Sequence, residues 1–318
     1  MSQTPQYSNV LVFGATGGVG GFVALEAHKR GAKVWLAMRD TSKTISEIPA
    51  DVEKAAGASI ARVQADLTDA ASVTKAVAES GAKAAFIYLI ANALDKQRNA
   101  IKALREAGVE NIVFLSSYGV QAEGDALRAI PQSEIIPFVH AQVEIAIEDL
   151  AFPSFVALRP ASFASNFFKN YLDRSAKPPK AQIIHEDAYA DNIVPEDIGA
   201  VGAVVLLSPP ATGKTSIFLA GSPQRQAKDS WALIKQITGR TDIDTTPTSP
   251  DAFVATFTAK GMPEAMPRYL LKILDRARGG FSGPAYEAGV ANVSKYLGRE
   301  PTSFEQYLEK HKAEWQSA

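Results

Sequence analysis

Near the start of the chain an apolar run, Val10-Leu11-Val12-Phe13, meets Gly14, Gly17 and Gly20 in a G-x-x-G-x-x-G spacing. The run reads as a fully buried strand. The segment from Gly18 to Arg30, ended by Gly31, reads as a helix. Between the two, the chain needs backbone without a Cβ. One glycine serves the tight turn, one the close approach of a pyrophosphate, and one the packing of helix on strand. The exposed N–H groups at the helix N-terminus then hold the anion. Turns use glycine for steric reasons everywhere, so the triplet alone is a weak signal. The strand before it and the helix after it make a dinucleotide site the expectation.

The remaining bounds are permissive. A chain of 318 residues can bury a large core as one big domain or two modest ones. A formal net charge of −1 offers no basic field for nucleic acid. Zero cysteines excludes disulfides, thiolate metal sites and cysteine nucleophiles. No apolar stretch approaches the ~20 residues that span a bilayer. Residues 1–8 are polar and too short for a signal peptide, so a cytoplasmic protein is expected. Asn292-Val293-Ser294 matches a glycosylation sequon, which in such a chain is read as chance.

Strand-like and helix-like segments alternate through the first half, the pattern of a parallel sheet with helices on both faces. The strand candidates are Val10–Phe13, Lys33–Met38, Ser59–Gln64, Ala84–Ile90, Asn111–Ser116 and Ser154–Leu158. Helical patterns occupy Gly18–Arg30, Ala70–Glu79, Asp95–Ala107 and Phe138–Leu150, and Gly31, Gly81 and Gly108 stand where left-handed C-caps are wanted. This is a doubly wound order, and ligands belong beyond the C-terminal strand ends. After Pro160 the regularity fades. Pro195–Leu207, Asp229–Thr238, Pro267–Arg278 and Ser303–Lys312 read as helices, and Thr215–Leu219 as a strand. The expected architecture is α/β: a nucleotide-binding domain over residues 1–165 and a smaller α/β substrate lobe over 166–318, partly interleaved with it.

The residue just past the second strand separates NAD from NADP. An acidic side chain there accepts hydrogen bonds from the ribose 2′-OH, whereas an arginine pairs with a 2′-phosphate. Here Met38-Arg39-Asp40 ends the strand and Lys43 follows, so two cations can clamp a dianion. Asp40 tempers that reading, and a solvated arginine is the plain alternative. Asp66, ending the third strand before Leu67, can accept from the adenine amino group while Leu67 packs on the ring. It can equally cap the following helix, a role for which Asp69 competes.

Gly14-Ala15-Thr16-Gly17-Gly18-Val19-Gly20, Arg39, Asp66-Leu67 and Leu115-Ser116-Ser117-Tyr118 together resemble the atypical short-chain dehydrogenases/reductases of the NmrA-like group. Leu158-Arg159-Pro160 followed by Asn166-Phe167-Phe168 looks like that family's sixth strand and the loop after it. Val194-Pro195-Glu196-Asp197-Ile198-Gly199 looks like the segment entering the small-lobe helix. Gly239-Arg240 and Leu297-Gly298-Arg299-Glu300-Pro301-Thr302-Ser303-Phe304 look like later turns, so the resemblance spans nearly the whole chain. It implies the doubly wound Rossmann fold and binding of NADP(H), NAD(H) less so. Family members reduce quinones, dyes or other conjugated carbonyl compounds, serve secondary metabolism, or sense the dinucleotide without turning it over. The cofactor contacts it implies are Gly14, Thr16, Gly17, Gly18, Val19, Gly20, Arg39, Lys43, Asp66, Leu67, Leu89, Ser116, His140 and Pro160.

A standard short-chain reductase uses Tyr-x-x-x-Lys: the phenol delivers a proton, and the lysine holds the nicotinamide ribose and lowers the phenol pKa. In the register the resemblance implies, His140 holds the lysine position of His140-Ala141-Gln142-Val143-Glu144, and Ile136 the tyrosine position. The usual dyad is absent. An imidazole with pKa near 6.5 can donate to a ribose hydroxyl or a developing oxyanion, unless His140 is merely packed. Tyr118 can supply a phenol from another direction, or pack over the nicotinamide. Tyr88-Leu89-Ile90 ends the fourth strand, where it is expected to line the cofactor groove. Tyr88, Tyr118, Asn166, Phe167 and Tyr171 are the candidate substrate-pocket residues, giving an apolar, aromatic wall with a polar anchor; such a run is as often ordinary core. His28, His185 and His311 show no clustered partners, and no spacing suggests a metal.

Two patterns are set aside. Gly213-Lys214-Thr215 resembles the end of a phosphate-binding loop, but position 208 is Ser208 rather than glycine. Glu144, Glu148 and Asp149 mimic paired carboxylates, yet their spacing is that of a solvated helix face. The leading expectation is an NADP(H)-dependent reductase of a small hydrophobic carbonyl, enone or quinone, since a conjugated acceptor needs less acid assistance than a plain ketone. A non-catalytic NADP(H)-sensing regulator and a non-redox isomerase or dehydratase are the alternatives. The expected partners are a small hydrophobic or aromatic substrate, no nucleic acid and no membrane, with a monomer or homodimer.

Overall fold

In a computed structural model, which describes residues 5–317, seven strands build one sheet. They are β1 (Asn9–Phe13), β2 (Lys33–Met38), β3 (Ile60–Gln64), β4 (Ala84–Tyr88), β5 (Asn111–Leu115), β6 (Ser154–Pro160) and β7 (Gly213–Leu219). Their order is β7-β6-β5-β4-β1-β2-β3, and every neighbouring pair is parallel. A sheet covered on both faces needs continuous apolar strands rather than alternation. Val10–Phe13 obeys, with no residue above 2% exposure. β1 lies between β2 and β4, so the winding reverses there, and the crevice of such a sheet opens beyond its C-terminal edge.

The helices that matter for the site are α1 (Gly18–Lys29), α2 (Ala70–Ser80), α3 (Arg98–Glu106), α4 (Ile135–Asp149) and α5 (Pro195–Leu207). α5 is apolar nearly all round because it is buried nearly all round. It meets α1 backbone to side chain. A Cβ on Gly199 would lie 2.4 Å from Phe22 Cβ, and one on Gly202 would lie 2.9 Å from Val23 Cγ2. None of the described helices is long and apolar enough to cross a membrane.

Element boundaries depart from the sequence reading where side chains take over the backbone. β4 stops at Tyr88 because the buried Gln97 amide accepts from Ile90 N–H at 2.7 Å and donates to the Tyr88 carbonyl at 3.0 Å. α3 starts late because the Asp95 carboxylate accepts from the N–H groups of Gln97 and Asn99, and Gln97 sits at φ 64°. The helices Ala50–Ala56, Gly124–Arg128, Asn166–Lys169, Pro250–Ala259 and Pro284–Leu297 were not anticipated. The C-terminal helix breaks at His311 into Phe304–Lys310 and Lys312–Gln316.

The chain divides into two compact units. The first holds residues up to Pro160 with Pro195–Leu219 and Ala291–Glu300; the second holds Ala161–Val194, Ala220–Val290 and the residues from Pro301 onward. The second has an aromatic core of its own. Phe167 packs on Trp231 and Phe304 with centroids 5.3 Å apart in each pair, and Phe168 on Trp315 at 5.0 Å.

Within that unit the Asp191 carboxylate is 1% exposed and accepts from Ser162 N–H at 2.6 Å and Gly221 N–H at 2.7 Å. Burial pushes its pKa up to about 7, against the backbone bonds that pull it down. A folded-state pKa above the unfolded value means the unfolded chain loses this proton first. Stability from this group is therefore full below about pH 4 and falls as pH rises to about 7. Asp191→Asn is expected to remove that slope. Urea unfolding at pH 4.5 and 7.5 should show wild type losing on the order of 3 kcal/mol relative to the variant. Other titrating groups cancel in the difference; equal changes in both proteins would refute the assignment.

Candidate functional site

The turn after β1 has the geometry its glycines suggest. Gly14 sits at φ +72°, and its carbonyl accepts the Gly17 N–H at 2.9 Å. Gly20 lies against it so closely that a Cβ would fall 2.3 Å from the Gly14 oxygen. Gly17 is the extended N-cap of α1; it provides no side-chain cap, and the first turn carries no acidic residue. The leading N–H groups of α1 are thus free of the side-chain acceptors that usually satisfy them, which is what an anion site requires.

A cavity beside this turn brings together Gly14, Thr16, Arg39, Lys43, Asp66 and Leu67. Gly17, Gly18, Val19 and Gly20 form the adjoining start of α1. Arg39 and Lys43 are exposed, and neither forms a salt bridge among the described residues. Asp40 does not neutralise Arg39. Its Oδ1 accepts from Ser42 N–H at 3.0 Å and Ser42 Oγ at 2.6 Å, bonds that hold its pKa below the usual carboxylate range. The loop carrying Lys43 is tied down by Arg62, which pairs with Glu53 and donates to the carbonyls of Thr41 and Lys43. Nothing in the sequence reading singled out Arg62.

Asp66 and Asp69 divide their duties. Asp69 is the N-cap of α2, accepting from Ala71 N–H at 3.0 Å. Asp66 Oδ1 accepts from the Thr68 N–H and hydroxyl, both at 2.8 Å, and so makes a turn rather than a helix cap. Tyr88, expected both along the cofactor groove and in a substrate pocket, lines the cavity beside the glycine turn. Its ring lies so near Gly14 that a Cβ there would be 2.7 Å from two ring carbons. Burial raises its phenol pKa, with Arg39 opposing. Leu89 packs against the same core of the sheet.

At the ends of β5 and β6 the candidates fall close together. Tyr118 N–H donates to the Pro160 carbonyl at 2.9 Å, and its ring meets Phe218 edge-on at 5.6 Å. Ser116 is buried and its hydroxyl donates to Glu144 Oε1 at 2.5 Å. This overturns the expectation of a solvated Glu144. The residue is fully buried because Arg159 Nη2 and Lys214 Nζ reach its Oε2 at 2.7 and 2.9 Å. Gly213-Lys214-Thr215, rejected as a phosphate loop, begins β7 and delivers that lysine.

His140 stands one turn before Glu144 on α4. Its Nδ1 lies 2.8 Å from the Ile136 carbonyl, which only accepts, so Nδ1 carries the proton and Nε2 is an acceptor in the neutral ring. Burial lowers the pKa, with that bond and Glu144 opposing. The ring was expected either to donate near neutrality or merely to pack; here its Nδ1–H is taken by Ile136, which leaves Nε2 able only to accept in the neutral form.

The remaining candidates lie in the second unit. Asn166, Phe167 and Tyr171 line an apolar pocket with Gln182, His185 and Trp231. Burial raises the Tyr171 phenol pKa. His185 has a carboxylate neighbour after all, Asp275 at 3.6 Å, and His311 has Glu314 at 3.4 Å. Among the described residues no group of three or more His, Asp or Glu side chains is placed to hold a metal.

A nitrogen metabolite regulation-like protein of Gibberella fujikuroi is 36% identical, over 96% of this chain and 97% of that protein. A phenylcoumaran benzylic ether reductase of Pinus taeda is 28% identical, over 65% of this chain and 68% of that one. Among solved structures, the NADPH-dependent quinone oxidoreductase of Escherichia coli complexed with NADPH superposes with a TM-score of 0.70 at 20% identity. That match covers 95% of this chain and 99% of that one, and shows a shared fold. The NmrA-like family model matches residues 6–308. The chain belongs to the NmrA-like family.

Proposed function

We propose that this protein is a cytoplasmic NADP(H)-dependent oxidoreductase that reduces a small hydrophobic carbonyl, enone or quinone without a Tyr-x-x-x-Lys dyad. The observation that carries the reading is a cavity lined by the glycine turn, which leads into an uncapped helix N-terminus, and by two cations lacking salt-bridge partners among the described residues. In this reading the turn from Gly14 through Gly20, with Thr16, Gly18 and Val19, receives the diphosphate. Arg39 and Lys43 receive the 2′-phosphate. Asp66 has Oδ2 left to accept from the adenine amino group, and Leu67 packs on the ring. Leu89, Ser116 and Pro160 border the nicotinamide half. Bound there, the nicotinamide supplies the hydride.

The chain's own residues orient and exclude water. His140 Nε2 accepts from a ribose hydroxyl, the reverse of the lysine's donation. The Tyr118 hydroxyl is the candidate proton donor. An aromatic pocket with Asn166, Phe167 and Tyr171 suits a conjugated acceptor. The quinone oxidoreductase and ether reductase names of two relatives support this substrate class. NADPH oxidation with a panel of quinones and enones tests it. Turnover of at least one panel member, abolished or slowed in Tyr118→Phe, is expected; tight NADPH binding with no turnover of any member would overturn it.

That second outcome belongs to a dinucleotide-sensing regulator. Ile136 in the tyrosine register and the name of the Gibberella relative favour it. Discrimination between NADP+ and NADPH in a binding titration would then be its signature.

A further inference from the structure

Behind the strand ends lies a charged group that the proposed chemistry does not use. Glu144 and Arg159 are at most 1% exposed, and Lys214 is 15% exposed at its side chain. The Arg159 fork holds Glu144 through Nε at 3.1 Å and Nη2 at 2.7 Å. Lys214 Nζ contacts three carboxylates: Glu148 at 2.6 Å, Glu123 at 2.8 Å and Glu144 at 2.9 Å.

Apart from Lys214's pairing with Glu148 on α4, the hydrogen bonds and ion pairs this group makes beyond itself converge on one segment of chain. At the near end of that segment, Glu144 accepts the Ser116 hydroxyl. At the far end, Arg159 donates to the Ala122 carbonyl at 3.1 Å and pairs with Glu123 at 2.6 Å, where Lys214 joins it. Between those anchors lie Ser117, Tyr118, Gly119, Val120 and Gln121. The Arg159 guanidinium also lies 5.5 Å from the centre of the Phe218 ring, the ring that Tyr118 meets edge-on. Burying two such charges is a poor way to gain stability, because apolar residues of equal volume usually do as well or better. What a buried network of ion pairs and hydrogen bonds does supply is a single fixed geometry.

We infer that Glu144, Arg159 and Lys214 are positioning residues, which clamp the Ser116–Glu123 segment at both ends and thereby fix Ser116 and Tyr118 for the reaction. The inference rests on the reductase reading for its functional half only. Lys214→Met and Glu123→Gln loosen the far end of the clamp without touching Ser116 or Tyr118. Glu123 is half exposed, so its variant keeps the experiment decisive if Lys214→Met fails to fold. Amide hydrogen exchange on the cofactor-free protein should speed up at least tenfold in residues 117–122 and stay unchanged in β5 and β6. With an active acceptor, kcat should fall at least tenfold while KM for NADPH stays within twofold. Lys214→Arg should restore both.

Wild-type exchange and kcat in folded variants would overturn the inference. So would faster exchange spread evenly over the sheet, which marks a purely stabilising role. Should wild type reduce no acceptor, the reductase reading fails, while the exchange comparison still decides whether the clamp exists.

Discussion

Arg39→Ala is expected to weaken NADPH binding by about tenfold to a hundredfold and to leave NADH binding within about twofold, because a charge-assisted hydrogen bond contributes about 1.5–3 kcal/mol. Arg39 follows β2 on the cavity wall, has no salt bridge among the described residues, and presents a planar fork matched to a phosphate. Lys43→Ala should lose less, since a flexible ammonium acts as a point charge. Fluorescence titration of both coenzymes against both variants makes the comparison. Equal weakening of NADH would place Arg39 on the shared diphosphate or adenosine instead, and no weakening at all would remove the 2′-phosphate assignment.

Gly20→Ala should be the most damaging single methyl in the turn. The added Cβ would stand 2.3 Å from the Gly14 oxygen, 2.7 Å from its carbonyl carbon and 3.2 Å from the Phe13 oxygen. All three are backbone atoms, so no rotamer relieves the clash, and α1 must move off β1. Overpacking of this kind costs about 1–3 kcal/mol. Displacing the helix start also carries away the N–H groups proposed to hold the diphosphate. Gly17→Ala, whose Cβ would meet only the Gly14 oxygen at 3.3 Å, should cost much less stability. Thermal unfolding of the two variants reads the ranking; a Gly17 variant as destabilised as the Gly20 variant would contradict it.

The parts legible in the sequence are those set by local pattern. Continuous apolar runs marked the parallel strands. β2 was bounded to the residue, as was the helix Pro195–Leu207, because each has a clean start and stop. Gly31, Gly81 and Gly108 take the positive φ expected of them. What stayed hidden depends on partners distant in the chain. Glu144 looks like any charge on a helix until Arg159 and Lys214 arrive from two strands further on. Lys214 in turn invited comparison with a phosphate loop, since nothing local reveals three carboxylates waiting for it. Gln97 carried no periodic signal, yet its amide decides where β4 ends. Tyr88 was legible as a strand end facing the groove, but only the path of β4 past Gly14 shows that its ring lines the cavity beside the turn. The second unit's pocket gathers residues from 162 to 281, and no window of sequence spans that distance.

The interleaving of the chain has a consequence for biosynthesis. When the ribosome has released the first six strands, β6 still lacks its outer neighbour, for β7 is not made until residues 213–219 have been translated. Until then β6 offers a raw row of backbone donors and acceptors, an invitation to mispair with another nascent chain. The helix that covers α1 is also late, arriving with residues 195–207. Nascent chains halted before residue 219 should therefore be the ones that chaperones seize most avidly.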